Sequence, residues 1–286
     1  MLNLFQSLVL GLLQGVTELF PISSLGHTVI LPSLFGWRID QYDPAFLTFI
    51  VVTHLATALV LLGFFWDDWV KIIAGILRSL QRRSIDVEDT YARIGWLLVV
   101  SSIPVGLLGI LFEKSLSALF AVPLYAGIFL AANGILLYAT ETLMRRRPKL
   151  EKHSYERVAR MTWTDAVKVG LMQCLALLPG FSRTGASLAG SLVVGLSHED
   201  AVRYAFLLAT PIIFAAAVLK IPELTLSGEP LSLAPFAVGA VASAAGAYVS
   251  VRYLTVYFKT RTLIPFAWYC LAAGLFAVAF SVLRGH

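Results

Sequence analysis

Apolar residues run almost unbroken through six stretches of the chain, at about 46–66, 91–112, 120–144, 200–220, 233–258 and 263–283. Each is long enough to cross a hydrocarbon core of about 30 Å as a helix rising about 1.5 Å per residue. Four shorter stretches, 2–16, 25–35, 164–178 and 186–196, are not. They occur as two pairs, and a polar break divides each pair: Gln14 to His27 around Pro21 in the first, Pro179 to Gly185 in the second. Pro21 disfavours helix at Phe20, so the first pair predicts a helix, a turn and a second helix that enters the membrane and returns. Irregular backbone survives at that depth only when it is buried in protein or lines a cavity. Continuous apolar runs predict helices; barrel strands would alternate over roughly ten residues.

The two pairs repeat in residues as well as in hydropathy. Gly11-Leu12-Leu13-Gln14 recurs as Gly170-Leu171-Met172-Gln173, and each is followed by a proline and then Ser24 or Ser182. The chain therefore reads as a single integral membrane domain, 1–286, with repeat halves near 1–144 and 160–286. Three spans per half invert the second half relative to the first, so that one break enters from each face and the two meet near the midplane.

Composition turns this pattern into a class. With 58% hydrophobic and 14% charged residues and a mean hydropathy of +0.80, the chain exceeds the apolar share of a soluble domain. The expected fold is an all-α polytopic membrane protein with six transmembrane helices plus two re-entrant helix-turn-helix segments in an inverted repeat. The formal charge of +5 does not point to nucleic acid, because the basic residues flank apolar runs. Lys71, Arg78, Arg82, Arg83, Arg145, Arg146, Arg147, Lys149, Lys152, Arg157, Arg160, Lys259 and Arg261 fall in loops on one side; Arg38, Lys114 and Arg284 fall on the other. Thirteen against three places the basic loops in the cytoplasm and both termini outside. Cys174 and Cys270 lack metal or redox spacing and read as buried thiols. The N-terminus lacks the features of a cleaved signal peptide, so Met1 is expected to begin the mature chain.

Ionisable residues in apolar sequence cost several kcal/mol unless they line a polar site, which makes them functional candidates. Gln14 and Glu18, at i and i+4, share one helix face and can address one ligand. His27 follows Gly26, with Ser23 and Ser24 nearby, a setting suited to acid/base work. Arg183 has the planar fork that binds phosphate bidentately, and Gly180 and Gly185 free the backbone to present amides to an anion at a helix N-terminus. An Arg183–Glu18 ion pair joining the halves is the competing structural role. His54, beside Thr53 and Thr57, is expected to make an interhelical hydrogen bond. Asp67 and Asp68, with Trp66 and Trp69, read as an interfacial anchor.

Gln14-x-x-x-Glu18 with Pro21-Ile22-Ser23-Ser24-Leu25-Gly26-His27, and Pro179-Gly180-Phe181-Ser182-Arg183-Thr184-Gly185-Ala186-Ser187, resemble the two signature motifs of bacterial undecaprenyl pyrophosphate phosphatases, the bacitracin-resistance family. The resemblance covers nearly the whole chain. It implies hydrolysis of undecaprenyl pyrophosphate to undecaprenyl phosphate and phosphate, recycling the lipid carrier of peptidoglycan synthesis. It also implies a multi-pass protein of the bacterial plasma (inner) membrane whose site opens to the periplasm. Residue by residue it implies catalytic roles for Glu18, His27, Ser24, Ser182 and Arg183, and substrate binding by Gln14, Ser23, Gly180, Arg183, Thr184 and Ser187. Gln14 stands where many members have Glu, Leu25 where Ser or Thr is usual, and Ser187 where Thr is usual.

On that reading a divalent cation, Mg²⁺ or Ca²⁺, is held by Glu18 and phosphate oxygens, and either a serine or a water attacks. The expected partners are a prenyl pyrophosphate lipid and membrane lipid, with no nucleic acid, and a homodimer is left open. The rival reading is a transporter or flippase of a lipid phosphate or other anion, since broken helices in inverted repeats are transporter architecture. Pro21 to His27 also loosely resembles the Pro-Ser-Gly-His motif of type 2 phosphatidic acid phosphatases. Their second histidine is missing here, as none follows Arg183 before His198.

Overall fold

The computed structural model describes residues 2–37, 39–120, 122–144, 154–225 and 233–284, with 113–120 and 221–225 described by backbone alone. Met1, Arg38, Arg145, Arg146, Arg147, Lys149 and Lys152 lie outside the described residues, as does the Lys114 side chain. Among the described residues the chain is all-helical. In chain order the helices are α1 (Leu4–Leu19), α2 (Ser24–Phe35), α3 (Pro44–Phe64), α4 (Trp66–Arg82), α5 (Thr90–Phe120), α6 (Pro123–Met144), α7 (Tyr155–Ala159), α8 (Trp163–Gln173), α9 (Arg183–Val193), α10 (His198–Thr225), α11 (Leu233–Tyr257) and α12 (Ile264–Arg284). A single 3-10 turn, Cys174–Leu177, follows α8. Helices α3, α5, α6, α10, α11 and α12 are long and apolar enough to cross a membrane, and they coincide with the six expected stretches. The chain is a multi-pass membrane protein.

Local chemistry sets the short helices. Asn3 and Gln6 form a reciprocal capping box at the start of α1, and Pro21 stops the helix with Phe20 extended at φ −68°, ψ 146°. Ser23 caps α2, and Gly36 ends it in the left-handed conformation. Thr162 and Asp165 box the start of α8, and Ser182 caps α9.

Two segments depart from expectation. Residues 66–82, read above as a basic loop, form α4, and α7 lies in the second basic loop. Acidic residues Asp67 and Asp68 in the first turn of α4 and Arg82 in the last complement its dipole. Trp66, Val70, Ile73, Leu77 and Leu80 share one exposed apolar stripe, while Ile72, Gly75 and Ser79 are buried against α5. Asp68 is more than an interfacial anchor, since it accepts the Tyr155 hydroxyl at 2.5 Å.

Small residues let the helices meet at backbone distance. Side chains at Gly11 and Gly15 of α1 would collide with the backbone of α11 at Gly239 and Ser243. Gly127 and Gly134 of α6 meet α12 in the same way, and Gly170 of α8 meets α5 at Ser101 and Pro104. Helices from the N-terminal part of the chain thus pack on helices from the C-terminal part, and both breaks are carried into the interior between them.

Candidate active site

The first break, Phe20 to Ser23, and the second, Leu178 to Ser182, lie against each other. A Cβ on Gly26 would stand 3.1 Å from the Gly180 Cα, and one on Gly185 would stand 3.3 Å from the Pro21 carbonyl. Gly180 itself has φ +107° and abuts the α6 backbone at Ala126, so a side chain there is excluded twice. The end of α1 has carbonyls without intrahelical partners, and the second break supplies the donors. Thr184 Oγ1 donates to the Glu18 carbonyl at 2.8 Å, and Ser182 Oγ donates to the Phe20 carbonyl at 3.3 Å.

Asn133, from the middle of α6, ties both breaks together. Its Nδ2 donates to the Pro21 carbonyl at 2.9 Å, and its Oδ1 accepts the Ser182 amide at 3.2 Å. The residue is fully buried. Replacing Asn133 by Leu leaves that amide without a partner and that carbonyl with only the weak Cys270 thiol at 3.8 Å, and the expected loss is about 2–4 kcal/mol. Thermal unfolding of the detergent-solubilised chain checks this; an unchanged midpoint would show that the breaks hold without it.

The site centres on the Glu18 carboxylate, which is 6% exposed. Its Oε1 receives Arg183 Nη2 at 3.0 Å. Its Oε2 receives the Gln14 amide at 3.2 Å and the Ser24 hydroxyl at 2.5 Å. His54 Nε2 stands 3.2 Å from the same oxygen. Four polar groups from α1, α2, α3 and α9 thus converge on one buried carboxylate. The other ring nitrogen of His54 faces the Ile50 carbonyl at 2.8 Å. A carbonyl only accepts, so Nδ1 is the donor there.

His27 points elsewhere. Its Nδ1 donates to the Ser23 carbonyl at 2.6 Å, and its Nε2 meets the Tyr269 hydroxyl at 2.7 Å, with the two rings stacked at 5.7 Å. Ser23 is strained at φ +68°, and its hydroxyl accepts the Gly26 amide at 3.2 Å. Its visible contacts therefore shape the turn. The Ser182 hydroxyl caps Gly185 at 3.0 Å besides donating to Phe20. Ser187 is buried on α9.

Of the ten site residues expected from sequence, Gln14, Glu18, Ser24 and Arg183 share direct contacts; Ser182, Thr184 and Gly180 frame them; Ser23 and His27 set the adjoining turn. Sequence reading did not place His54, Asn133 or Tyr269 here. For His54 a signal existed, an imidazole within a long apolar run, but its partner is 36 positions away in the chain.

A family model described as bacitracin resistance protein BacA matches residues 7–276 of the chain. The chain belongs to the BacA family. Among the relatives of this BacA-family chain, an undecaprenyl-diphosphatase of Mycolicibacterium paratuberculosis is 45% identical over 309 aligned residues, covering 99% of both chains. One of Gluconacetobacter diazotrophicus is 43% identical, covering 100% of this chain and 98% of the relative. Undecaprenyl-diphosphatase 2 of Chromobacterium violaceum is 42% identical, covering 99% and 100%.

Proposed function

We propose that this BacA-family chain hydrolyses undecaprenyl pyrophosphate to undecaprenyl phosphate and inorganic phosphate, with Glu18 as general base and Ser24 as nucleophile. The observation that carries the mechanism is the 2.5 Å contact of the Ser24 hydroxyl with Glu18 Oε2, beside Arg183 on the other oxygen. The two candidate serines differ in one respect that favours Ser24. Ser24 donates to a carboxylate, which can take its proton, whereas Ser182 donates to a backbone carbonyl, which cannot.

Glu18 removes the Ser24 proton as Oγ attacks the terminal phosphorus. The bridging P–O bond breaks, and its electron pair leaves on undecaprenyl phosphate. Water then attacks the phosphorus on Ser24, Glu18 returns its proton to the departing Oγ as that P–O bond breaks, and the water leaves as part of dihydrogen phosphate. Arg183 and the N-termini of α2 and α9 face the diphosphate with positive charge and dipoles. The Arg183 side chain is 21% exposed against 5% for Glu18, so the guanidinium is the more accessible of the pair. His27 is held by Ser23 and Tyr269.

A divalent cation fits this donor set only as one brought with the substrate. No cluster of three or more His, Cys, Asp or Glu side chains stands ready for an ion among the described residues. Gln14 Oε1, however, is buried without a hydrogen-bond partner, and Glu18 Oε1 accepts one donor only. Mg²⁺ typically takes one or two protein oxygens and completes its shell with phosphate and water. Glu18 and Gln14 would hold such an ion, which supplies charge neutralisation at the diphosphate.

The functional reading is tested by phosphate release from undecaprenyl pyrophosphate by the purified chain, with and without chelator. Transport of lipid phosphate without phosphate release would replace it. Adding a second carboxylate by Gln14→Glu is expected to lower the Mg²⁺ concentration for half-maximal rate about tenfold. An unchanged metal dependence would remove Gln14 from the ion's shell.

The two breaks support a pair of re-entrant segments in an inverted repeat. Element contacts exchange between the halves as such a repeat requires: α1 packs on α11 as α8 packs on α5, and α3 packs on α11 as α10 packs on α5. We place the site toward the periplasm of the plasma membrane, because the excess of Lys and Arg marks the opposite loops as cytoplasmic.

A further inference from the structure

We infer that His54 is a positioning residue that holds Glu18 Oε2 away from Arg183, which keeps the Glu18–Arg183 pair singly bonded and leaves the remaining guanidinium donors for the diphosphate. The inference rests on the phosphatase reading above. An arginine fork beside a carboxylate tends to close on both oxygens, since two parallel bonds are stronger than one. Here the fork meets Glu18 through Nη2 at Oε1, 3.0 Å apart. The second oxygen is occupied by Gln14, Ser24 and His54.

Those three donors are not equivalent. Gln14 lies on α1 with Glu18 and follows it if the carboxylate moves. Ser24 gives up its proton in the reaction and then holds nothing. His54 comes from α3, is fixed at its far side by the Ile50 carbonyl at 2.8 Å, and has a side chain only 13% exposed. It is the one contact to Oε2 from a helix that carries neither break. Without it, Glu18 is free to rotate onto the fork, which withdraws both the base from Ser24 and the phosphate donors of Arg183.

The test measures two things on the full-length chain in detergent: phosphate release from farnesyl pyrophosphate, and calorimetric binding of inorganic pyrophosphate in the same Mg²⁺ buffer. His54→Ala is expected to lower kcat about 30-fold and weaken pyrophosphate about tenfold, with His54→Gln, which keeps an amide donor, recovering most of both. In a Glu18→Gln background, where no carboxylate can close on Arg183, His54→Ala is expected to leave pyrophosphate binding unchanged. Should His54→Ala fail to fold, His54→Phe fills the space without a donor and takes its place. Three results would overturn the inference: kcat and binding within twofold in His54→Ala, His54→Gln as impaired as His54→Ala at wild-type thermal stability, or equal weakening in both backgrounds. A wild-type chain that binds pyrophosphate but releases no phosphate would sink the phosphatase reading alone, since the binding cycle still judges His54. One that binds no pyrophosphate overturns both.

Discussion

Glu18→Gln is expected to lower kcat for phosphate release about 10³-fold while KM stays within about threefold, the signature of a group needed for proton transfer more than for binding. Glutamine keeps the shape of the side chain and can still accept from Ser24, but it cannot take the proton. Among the described residues, Glu18 is the acidic side chain that Ser24 touches, so no second carboxylate stands by to replace it. The same change frees Arg183 from its partner, so pyrophosphate should bind at least as tightly as to the wild type. Phosphate release and pyrophosphate calorimetry together decide the matter. A kcat within tenfold of wild type would take the base role from Glu18 and leave the arrangement around it a structural ion pair.

For Arg183→Ala the expected loss is about 10³-fold in kcat/KM, because phosphoryl transfer rests largely on charge neutralisation and positioning. Arg183→Lys restores the charge but not the fork and should recover only about tenfold of that loss. Stability moves as well. Removing the guanidinium leaves the buried Glu18 carboxylate without its strongest partner, at a cost of about 3 kcal/mol. Combining Arg183→Ala with Glu18→Gln removes that imbalance, so the double variant should regain thermal stability and remain inactive. If the double variant were as unstable as the single, the ion pair would not be what holds the two breaks together. If Arg183→Ala kept wild-type kcat/KM, the guanidinium would have no part in substrate binding.

Local pattern was enough for the six long helices. Apolar run length gave the six long helices within a few residues, and Pro21 and the Pro179-Gly180 pair located both breaks. The i, i+4 relation of Gln14 and Glu18 became a real hydrogen bond, because α1 continues past Glu18 before Pro21 ends it. What escaped was relational. His54 looked structural because only Thr53 and Thr57 are its visible neighbours in sequence, while Glu18 sits on another helix. His27 reads in sequence as an acid/base group of the same break as Glu18, yet α2 turns its ring toward Tyr269. Asn133 gave no signal at all, being one amide in an ordinary apolar span. Helix α4 escaped for a different reason: its basic residues drew the eye to loop topology, although its apolar residues recur at helical spacing.

The pairing of Glu18 with Arg183 spans 165 positions, and the hydroxyls of Ser182 and Thr184 that satisfy the end of α1 are equally distant. During synthesis the ribosome therefore delivers the Glu18 carboxylate with Gln14, Ser24 and His54 around Oε2, but long before its arginine exists. The first half of the nascent chain is an intermediate whose buried carboxylate lacks its counter-ion for the seconds that translation of the second half requires. A stop codon or a stalled ribosome in that interval leaves a carboxylate at membrane depth without its arginine.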